Sequence, residues 1–398
     1  MGQLLITLGK STVSTELDGL KASLRNSLER PAETLRTLDP GHYTSQAYYE
    51  LEIERIWKRE WICVGHVLEV NNPGDFFTLE LVDEPMMIVR GDDNQIRALS
   101  TVCRHRLMLV VAPGDKGNTG QFVCPYHRWT YGLDGRLESA LHMEQNPSFD
   151  RSKICLPHYR LEIWNDLIWV NLDDDATPLA PKLTGLDEVM SVYRGPSGAV
   201  MTELYDKVWG GNWKSQVENN LEGYHHMGMH GRSIEAYSPT KNVKNLTYDD
   251  YWTRHQVPYE RGRDVTEALL KEANWKPDDW LGMQEPALDI INIHPGNSMT
   301  IYPGGAGFYT IWPTGQDSFR FRSRSVRAPS ELRRFDTESG EQYDSERVLD
   351  EDGVAMPMIL QGAKSRKAQA GPMAWMEASL TRWHQWMARK LTESDASE

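Results

Sequence analysis

Four metal-binding side chains stand in two matched pairs, Cys103-Arg-His105 and Cys124-Pro-Tyr-His127, separated by eighteen residues. Each pair joins a thiolate to an imidazole. Two cysteines can then hold one iron and two histidines the other, the mixed ligation of a [2Fe–2S] centre whose potential is raised by nitrogen ligands. Structural zinc is the rival reading, but zinc pairs run Cys with Cys and His with His. The motif uses two of the four cysteines in 398 residues, so a chance grouping explains it poorly. The second pair lies in Cys124-Pro-Tyr-His-Arg-Trp-Thr-Tyr-Gly-Leu-Asp-Gly135, a loop punctuated by glycines.

A second constellation follows in Asn212-Trp-Lys-Ser-Gln-Val-Glu-Asn-Asn-Leu-Glu222-Gly-Tyr224-His225-His226-Met-Gly-Met-His230. Spacings of three to five residues on a helix, here loosened by Gly228, bring two imidazoles to one side, and His225 and His230 are five apart. Two histidines and one remote carboxylate make the facial triad of a mononuclear Fe(II) oxygenase, with positions left for O₂ and substrate. Alone, a histidine-rich helix is weak evidence. Downstream of the first motif it becomes strong. His226, adjacent to a ligand, points elsewhere and has a packing or supporting role.

From about Tyr43 to Gly362 these motifs make the chain resemble the oxygenase (α) component of the Rieske non-haem iron oxygenases, the ring-hydroxylating oxygenase superfamily. The resemblance implies a Rieske cluster on Cys103, His105, Cys124 and His127, and mononuclear iron on His225 and His230. It also implies a third iron ligand in Asp350-Glu-Asp352-Gly353, ahead of Gln361-Gly362, with Asp352 as the carboxylate. On the residues alone Asp350 and Glu351 stay open, and an acidic helix start is often mere compensation of the helix dipole. By the same resemblance Glu222 bridges His127 of one subunit to His225 of the next, and Asn219 sits near the iron. Trp213 and Tyr224 read as packing. Aromatic-ring dioxygenases mostly carry Asp at the bridging position, whereas Glu222-Gly-Tyr224-His225 is similar to the branch that oxidises quaternary amines. One departure stands in the first half-motif: Leu107 replaces the family's usual glycine, and glycine is what permits a left-handed backbone there.

The elements that must position these groups follow from periodicity. Leu17, Leu20, Leu24 and Leu28 predict a first helix, capped by Ser14 or Thr15 and closed by Pro31. A second is predicted over residues 45–61 with Tyr49, Ile53, Ile56 and Trp57 on one face. Between Phe76 and Val170, short β-rich runs such as 76–81, 86–90 and 167–172 alternate with turn clusters. Both half-motifs therefore fall in loops of a small all-β domain, where a cluster can approach the surface. After the linker 173–178 the texture is mixed, with strands predicted at 199–208 and 298–313. Helices are predicted at 213–229, 266–273, 348–364 and 372–391, the last carrying Trp383, Trp386 and Met387 as core or subunit contact. Residues 392–398 read as a polar tail. The fold class is α+β: a helical segment over 1–40, a Rieske [2Fe–2S] domain over 41–175, and a catalytic domain over 176–398 with an antiparallel sheet and surrounding helices.

The length predicts two cores. A net charge of −14 speaks against nucleic acid or an anionic membrane as partner. No apolar run reaches membrane-spanning length and no signal peptide is evident, so a cytoplasmic protein is expected, with Cys63 and Cys155 as ordinary thiols. The expected activity is that of a terminal oxygenase using O₂ and electrons from an NAD(P)H reductase or ferredoxin to hydroxylate a small organic molecule. An aromatic compound is placed first and a quaternary or N-methylated amine second; the aromatic 299–312 segment lines the pocket in either case. Two other classes compete, a Rieske electron-transfer protein without oxygenase activity and a zinc-stabilised binding protein. Two metals too far apart within one chain call for a head-to-tail ring, a homotrimer with or without a small β subunit.

Overall fold

The computed structural model describes residues 2–29, 35–190, 200–277, 283–327 and 345–392. The chain divides into two compact units, one of Met1–Ile56 with Ala180–Glu398 and one of Trp57–Leu179. Residues 41–56, assigned above to the Rieske domain, belong to the first unit. Polar anchors hold them there: the Tyr43 hydroxyl donates to Glu218 at 2.7 Å, and the carboxylate of Glu52 receives the ammonium of Lys214 at 2.7 Å.

The Trp57–Leu179 unit is all β, as its short alternating runs predict. Its strands are β1 (Ile62–His66), β2 (Asp75–Leu81), β3 (Glu84–Arg90), β4 (Ile96–Ser100), β5 (Lys116–Asn118), β6 (Phe122–Val123), β7 (Thr130–Tyr131), β8 (Leu137–Ser139), β9 (His158–Trp164) and β10 (Leu167–Asn171). One sheet runs β1-β10-β9-β4-β3-β2-β5 and a smaller one β6-β7-β8. Met87, Leu99, Phe122, Trp129, Tyr131 and Leu137 form an apolar core that also takes in Cys103 and Cys124.

In the other unit, β11 (Val200–Gly210), β12 (Lys244–Tyr248), β13 (Trp252–Pro258), β14 (Ala287–Ile293), β15 (Asn297–Tyr302), β16 (Gly305–Gly315) and β17 (Ser318–Arg327) make an antiparallel sheet in the order β11-β17-β16-β15-β14-β13-β12. The single strand predicted over 298–313 is two, because Pro303-Gly304 turns the chain, with Gly304 at φ +91°. Side chains alternate across this sheet. Ile291, Met299, Ile301, Phe308 and Trp312 are buried on one face, and the other face carries the cavity described below.

The first helix spans Gly2–Arg25, so Ser14 lies inside it and donates to Asp18 rather than capping it; Pro31 lies outside the described residues. The second is a helix over Gln46–Glu52 continued by a π turn over Ile53–Trp57. It buries Ile56 and Trp57 as predicted, but Tyr48 and Glu52 in place of Tyr49 and Ile53, with Glu52 turned in to Lys214. Trp383, Trp386 and Met387 are buried in the Ala378–Thr392 helix. Residues 393–398 of the expected tail are outside the described set. Among the described residues no helix is long and apolar enough to cross a membrane.

Candidate functional site

The two Cys–His loops are built alike. Val102 bridges to Leu109 around the first and Val123 pairs with Thr130 around the second. In each loop the cysteine N–H donates to the carbonyl five residues on, Met108 and Trp129, both at 2.8 Å. In each, the N–H four residues on donates back to the cysteine carbonyl, from Leu107 at 3.2 Å and Arg128 at 3.0 Å. That turn requires a left-handed residue at the fourth position, and Leu107 and Arg128 supply it at φ +61° and +62°. Leu107 thus adopts the backbone a glycine would take, with its side chain 79% exposed.

These hairpins bring the four residues together. Both cysteines are 1% exposed, the rings of His105 and His127 lie 4.6 Å apart between centroids, and Trp129 stacks on His105 at 4.8 Å. The Tyr131 hydroxyl lies 3.2 Å from Cys103 Sγ and accepts the Arg104 N–H; burial, then its contact with Cys103, pushes the phenol up. His105 Nδ1 is buried with no protein partner. Two buried thiols and an orphaned imidazole nitrogen fit a metal cluster and suit little else. Cys63 is buried and Cys155 half-buried.

The predicted helix over 213–229 is broken. A helix covers Trp213–Asn220, Leu221–Tyr224 is irregular, and a short helix covers His226–Met229 with His225 and His230 as its caps. The break lets Glu222 fold its carboxylate onto the chain. Its Oε2 accepts the N–H groups of Tyr224 and His225, and its Oε1 takes His225 Nδ1 at 2.8 Å. Tyr224, read as packing, is 41% exposed, while Trp213 is fully buried.

Three adjacent acids separate into three jobs on the Ser345–Ala363 helix. Asp350 turns to the Tyr205 hydroxyl at 2.7 Å and to Lys207. Glu351 takes His230 Nδ1 at 2.8 Å and the Ser233 hydroxyl at 2.8 Å. Asp352 faces both imidazoles, its Oδ1 lying 3.0 Å from His230 Nε2 and 3.8 Å from His225 Nε2. Carboxylates accept only, so both Nδ1 atoms carry the proton and both Nε2 lone pairs point at one spot. One ligand atom from each of His225, His230 and Asp352 lies within 4.8 Å of the others, a donor set that fits a ferrous ion with open positions. Asn219 Nδ2 donates to Asp352 Oδ1 at 3.4 Å.

Burial pulls His225 down, but the Glu222 carboxylate outweighs it and the net direction is up. His226 is driven well down by burial and by its imidazole neighbours. His255, which the sequence reading passed over, is pushed to about 3, first by burial and then by the charge of His225. Period-two alternation along 252–258 was the signal that would have found it. Sequence reasoning also missed the role of Glu351, because helix periodicity cannot rank neighbouring acids.

The three candidate iron ligands border a cavity of about 200 Å³. Its sheet wall is drawn from successive register rows of β13 to β17, with Ser298, Tyr309 and Ser323 in one row and His255, Ile290, Thr300 and Ser325 in the next. Of the predicted 299–312 lining, only the residues on this face (Thr300, Tyr302, Pro303, Gly304 and Tyr309) reach the cavity, joined by Tyr237, Tyr259 and Phe321. A Cβ at Gly307 would lie 2.7 Å from the Tyr309 hydroxyl, so a larger residue there would shift that side chain.

Residues 60–159 match the family description "Rieske [2Fe-2S] domain" and residues 200–393 match "Ring hydroxylating alpha subunit (catalytic domain)". The chain is 28% identical over 265 residues to the carnitine monooxygenase oxygenase subunit of Acinetobacter baumannii, covering 65% of this chain and 69% of that protein. It is 31% identical over 263 residues to the glycine betaine monooxygenase oxygenase subunit of Chromohalobacter salexigens, covering 62% and 58%. Other curated relatives are aligned over as little as 46% of their length. A solved quaternary ammonium Rieske monooxygenase, described as revealing carnitine oxidation by gut microbiota and inter-subunit electron transfer, superposes with a TM-score of 0.76. That match has 20% identity and covers 90% of this chain and 96% of the other, so it speaks to the fold.

Proposed function

The chain belongs to the Rieske non-haem iron oxygenases, and from that premise we propose a terminal oxygenase that hydroxylates an N-methyl group of a quaternary or N-methylated amine. Cys103, His105, Cys124 and His127 hold the [2Fe–2S] cluster, and His225, His230 and Asp352 hold the mononuclear iron. When bound, the cluster supplies single electrons and the iron supplies the open positions at which O₂ and substrate meet. The chain's own residues do the rest. Glu222 and Glu351 fix the tautomer and orientation of the two imidazoles. Asn219 steadies Asp352, and the cavity walls exclude water around the reacting carbon.

The observation that carries this reading is the pair of carboxylate-tethered imidazoles facing Asp352 inside an aromatic-lined cavity. The aromatic-substrate reading placed first above has less support than its alternative. Glu222 stands where aromatic-ring enzymes mostly have Asp, the relatives just described are named for carnitine and glycine betaine, and Tyr faces suit a cationic ammonium. Hydroxylation places one oxygen atom in a C–H bond and sends the other to water, with two electrons from NAD(P)H through a partner reductase or ferredoxin. The carbinolamine then releases formaldehyde and the demethylated amine. We place the protein in the cytoplasm, as a homotrimer with or without a small β subunit, in which Glu222 of one subunit joins its His225 to His127 of the next.

The test is the electron paramagnetic resonance signal of the anaerobically reduced, iron-loaded protein with nitric oxide. Quaternary amines are expected to shift the high-spin signal while aromatic acids leave it unchanged. A shift with aromatic acids alone reverses the substrate assignment, and no high-spin adduct in fully iron-loaded protein would leave an electron-transfer protein as the better reading.

A further inference from the structure

Strand β11 stands at the edge of the sheet that walls the cavity, and it carries Tyr205 and Trp209 on one face. Both are buried. The indole of Trp209 stacks on Phe321, with ring centres 4.7 Å apart and planes 3° from parallel, and Phe321 lines the cavity. The indole also packs against the Ser345–Ala363 helix one residue from Asp352: a Cβ placed on Gly353 would lie 3.1 Å from Trp209 Cε2. From there the contacts run outward. Trp209 Nε1 donates to the Tyr205 hydroxyl at 3.0 Å, and that hydroxyl donates to Asp350 at 2.7 Å. Asp350 pairs in turn with Lys207 at 3.1 Å, and both of those side chains are exposed. One run of contacts thus leads from beside the iron position to solvent through an indole and a phenol, the two aromatic side chains that give up an electron most readily.

Packing explains why these rings are buried. It does not call for the order of their hydrogen bonds. A phenol that loses an electron becomes a strong acid, so its oxidation needs a base that takes the proton as the electron leaves, and Asp350 stands within the reach of such a transfer. Burial, then the bond to Asp350, pushes the Tyr205 phenol up to about 12, so at neutral pH it still holds the proton it would give. The natural rival is the Tyr237–Tyr259 pair, whose rings lie 4.8 Å apart and also border the cavity.

We propose that Trp209 and Tyr205 form an electron relay that carries an oxidising equivalent from the iron site to the surface when no substrate is there to receive it. This rests on mononuclear iron at His225, His230 and Asp352 and is independent of which substrate the enzyme takes. The co-reactant is hydrogen peroxide, the product of O₂ reduced by two electrons without hydroxylation. Its reduction to two waters takes two electrons and two protons. Ferrous iron gives one electron and becomes ferric, and Tyr205 gives the other through Trp209. Tyr205 releases its hydroxyl proton to Asp350, which replaces one of the two protons consumed, and solvent supplies the second. The neutral Tyr205 radical then takes a hydrogen atom from a thiol or ascorbate in solution, and the ligand segment is spared oxidation.

The experiment takes holoenzyme with ferrous mononuclear iron and an oxidised, magnetically silent cluster, adds equimolar hydrogen peroxide without substrate, freezes it and records the electron paramagnetic resonance signal. A second portion receives nitric oxide instead, to show that iron occupies the site. Wild type is expected to give an organic radical whose line narrows when the protein is made with ring-deuterated tyrosine. Tyr205→Phe keeps the ring, removes the hydroxyl and is expected to lose that signal; Trp209→Phe is expected to lose most of it. Both variants are expected to form the nitric oxide adduct like wild type and, after peroxide, to carry more sulfoxide at Met227 and Met229, which stand between His225 and His230. No radical in wild type that forms the adduct overturns the relay and leaves the iron site standing. So does a tyrosyl signal that survives in Tyr205→Phe, which places it on another ring such as Tyr237 or Tyr259, and so does unchanged sulfoxide in both variants. Absence of the nitric oxide adduct overturns the iron site and the relay with it.

Discussion

Glu351 and Asp352 are neighbours in the chain with opposite duties. One takes the proton-bearing nitrogen of His230 and the other faces its lone pair. Groups that orient a ligand imidazole typically matter 10–100-fold in metal affinity. Glu351→Gln is therefore expected to lose mononuclear iron to a chelator about 10- to 100-fold more readily, with the cluster absorbance unchanged. Asp350→Asn, which meets Tyr205 and Lys207 instead, is expected to retain iron like wild type; iron loss there and not at Glu351 would exchange their roles. The ligand types and spacings were legible in the sequence because cysteine and histidine in matched pairs have few other uses. The division of labour among Asp350, Glu351 and Asp352 was not. It depends on which way each side chain leaves one helix start, and that is set by Tyr205, Lys207 and His230 from distant segments.

At the level of elements, the segment carrying the proposed iron ligands His225 and His230 shows what periodicity misses. Its pattern predicted one continuous helix, yet Glu222 satisfies the backbone N–H groups of Tyr224 and His225 and so competes with the helix for them. The preceding Trp213–Asn220 helix is anchored by Lys214, whose ammonium and its partner Glu52 are fully buried, with Trp213 donating to the same carboxylate at 2.9 Å. Lys214→Met leaves Glu52 an unpaired buried charge and is expected to cost about 3–5 kcal/mol, read as a lowered denaturation midpoint. Adding Glu52→Leu to that variant is expected to recover much of the loss, and no recovery would mean that packing rather than charge sets the cost. The β character of the Rieske unit was legible because its strands alternate between short apolar runs and turns. The left-handed turn at Leu107 was flagged by the absent glycine, and Leu107→Gly is expected to stabilise the unit by up to about 1 kcal/mol. A fall in melting temperature would show that the exposed leucine has a role of its own.

For the whole molecule, the proposed route from His127 through Glu222 to His225 crosses between subunits and makes a mixing experiment decisive. On the proposed assembly, trimers of Cys103→Ser subunits are expected to lack the cluster and trimers of Asp352→Ala subunits the iron, and neither is expected to form product. Dissociated and reassembled together, they are expected to recover a substantial part of wild-type turnover, because an intact cluster then adjoins an intact iron site in the next subunit. No recovery in verified mixed trimers would confine electron flow to a single chain. Glu222→Gln is expected to keep both metals and lose nearly all product; wild-type turnover by that variant would exclude the bridge. The two-unit division was legible from the change of texture near residue 176, whereas the return of residues 41–56 to the catalytic unit was not. That return depends on Tyr43 and Glu52 meeting Glu218 and Lys214, pairings far apart in sequence.

The equal construction of the two Cys–His hairpins also bears on how the protein matures. A lone ferrous ion reaching either hairpin finds one thiolate and one imidazole, never two of a kind. Only both hairpins, already in register, offer the sulfur pair for one iron and the nitrogen pair for the other. On this ligation the four ligands stand together only once the polypeptide has completed the β framework that sets both hairpins side by side.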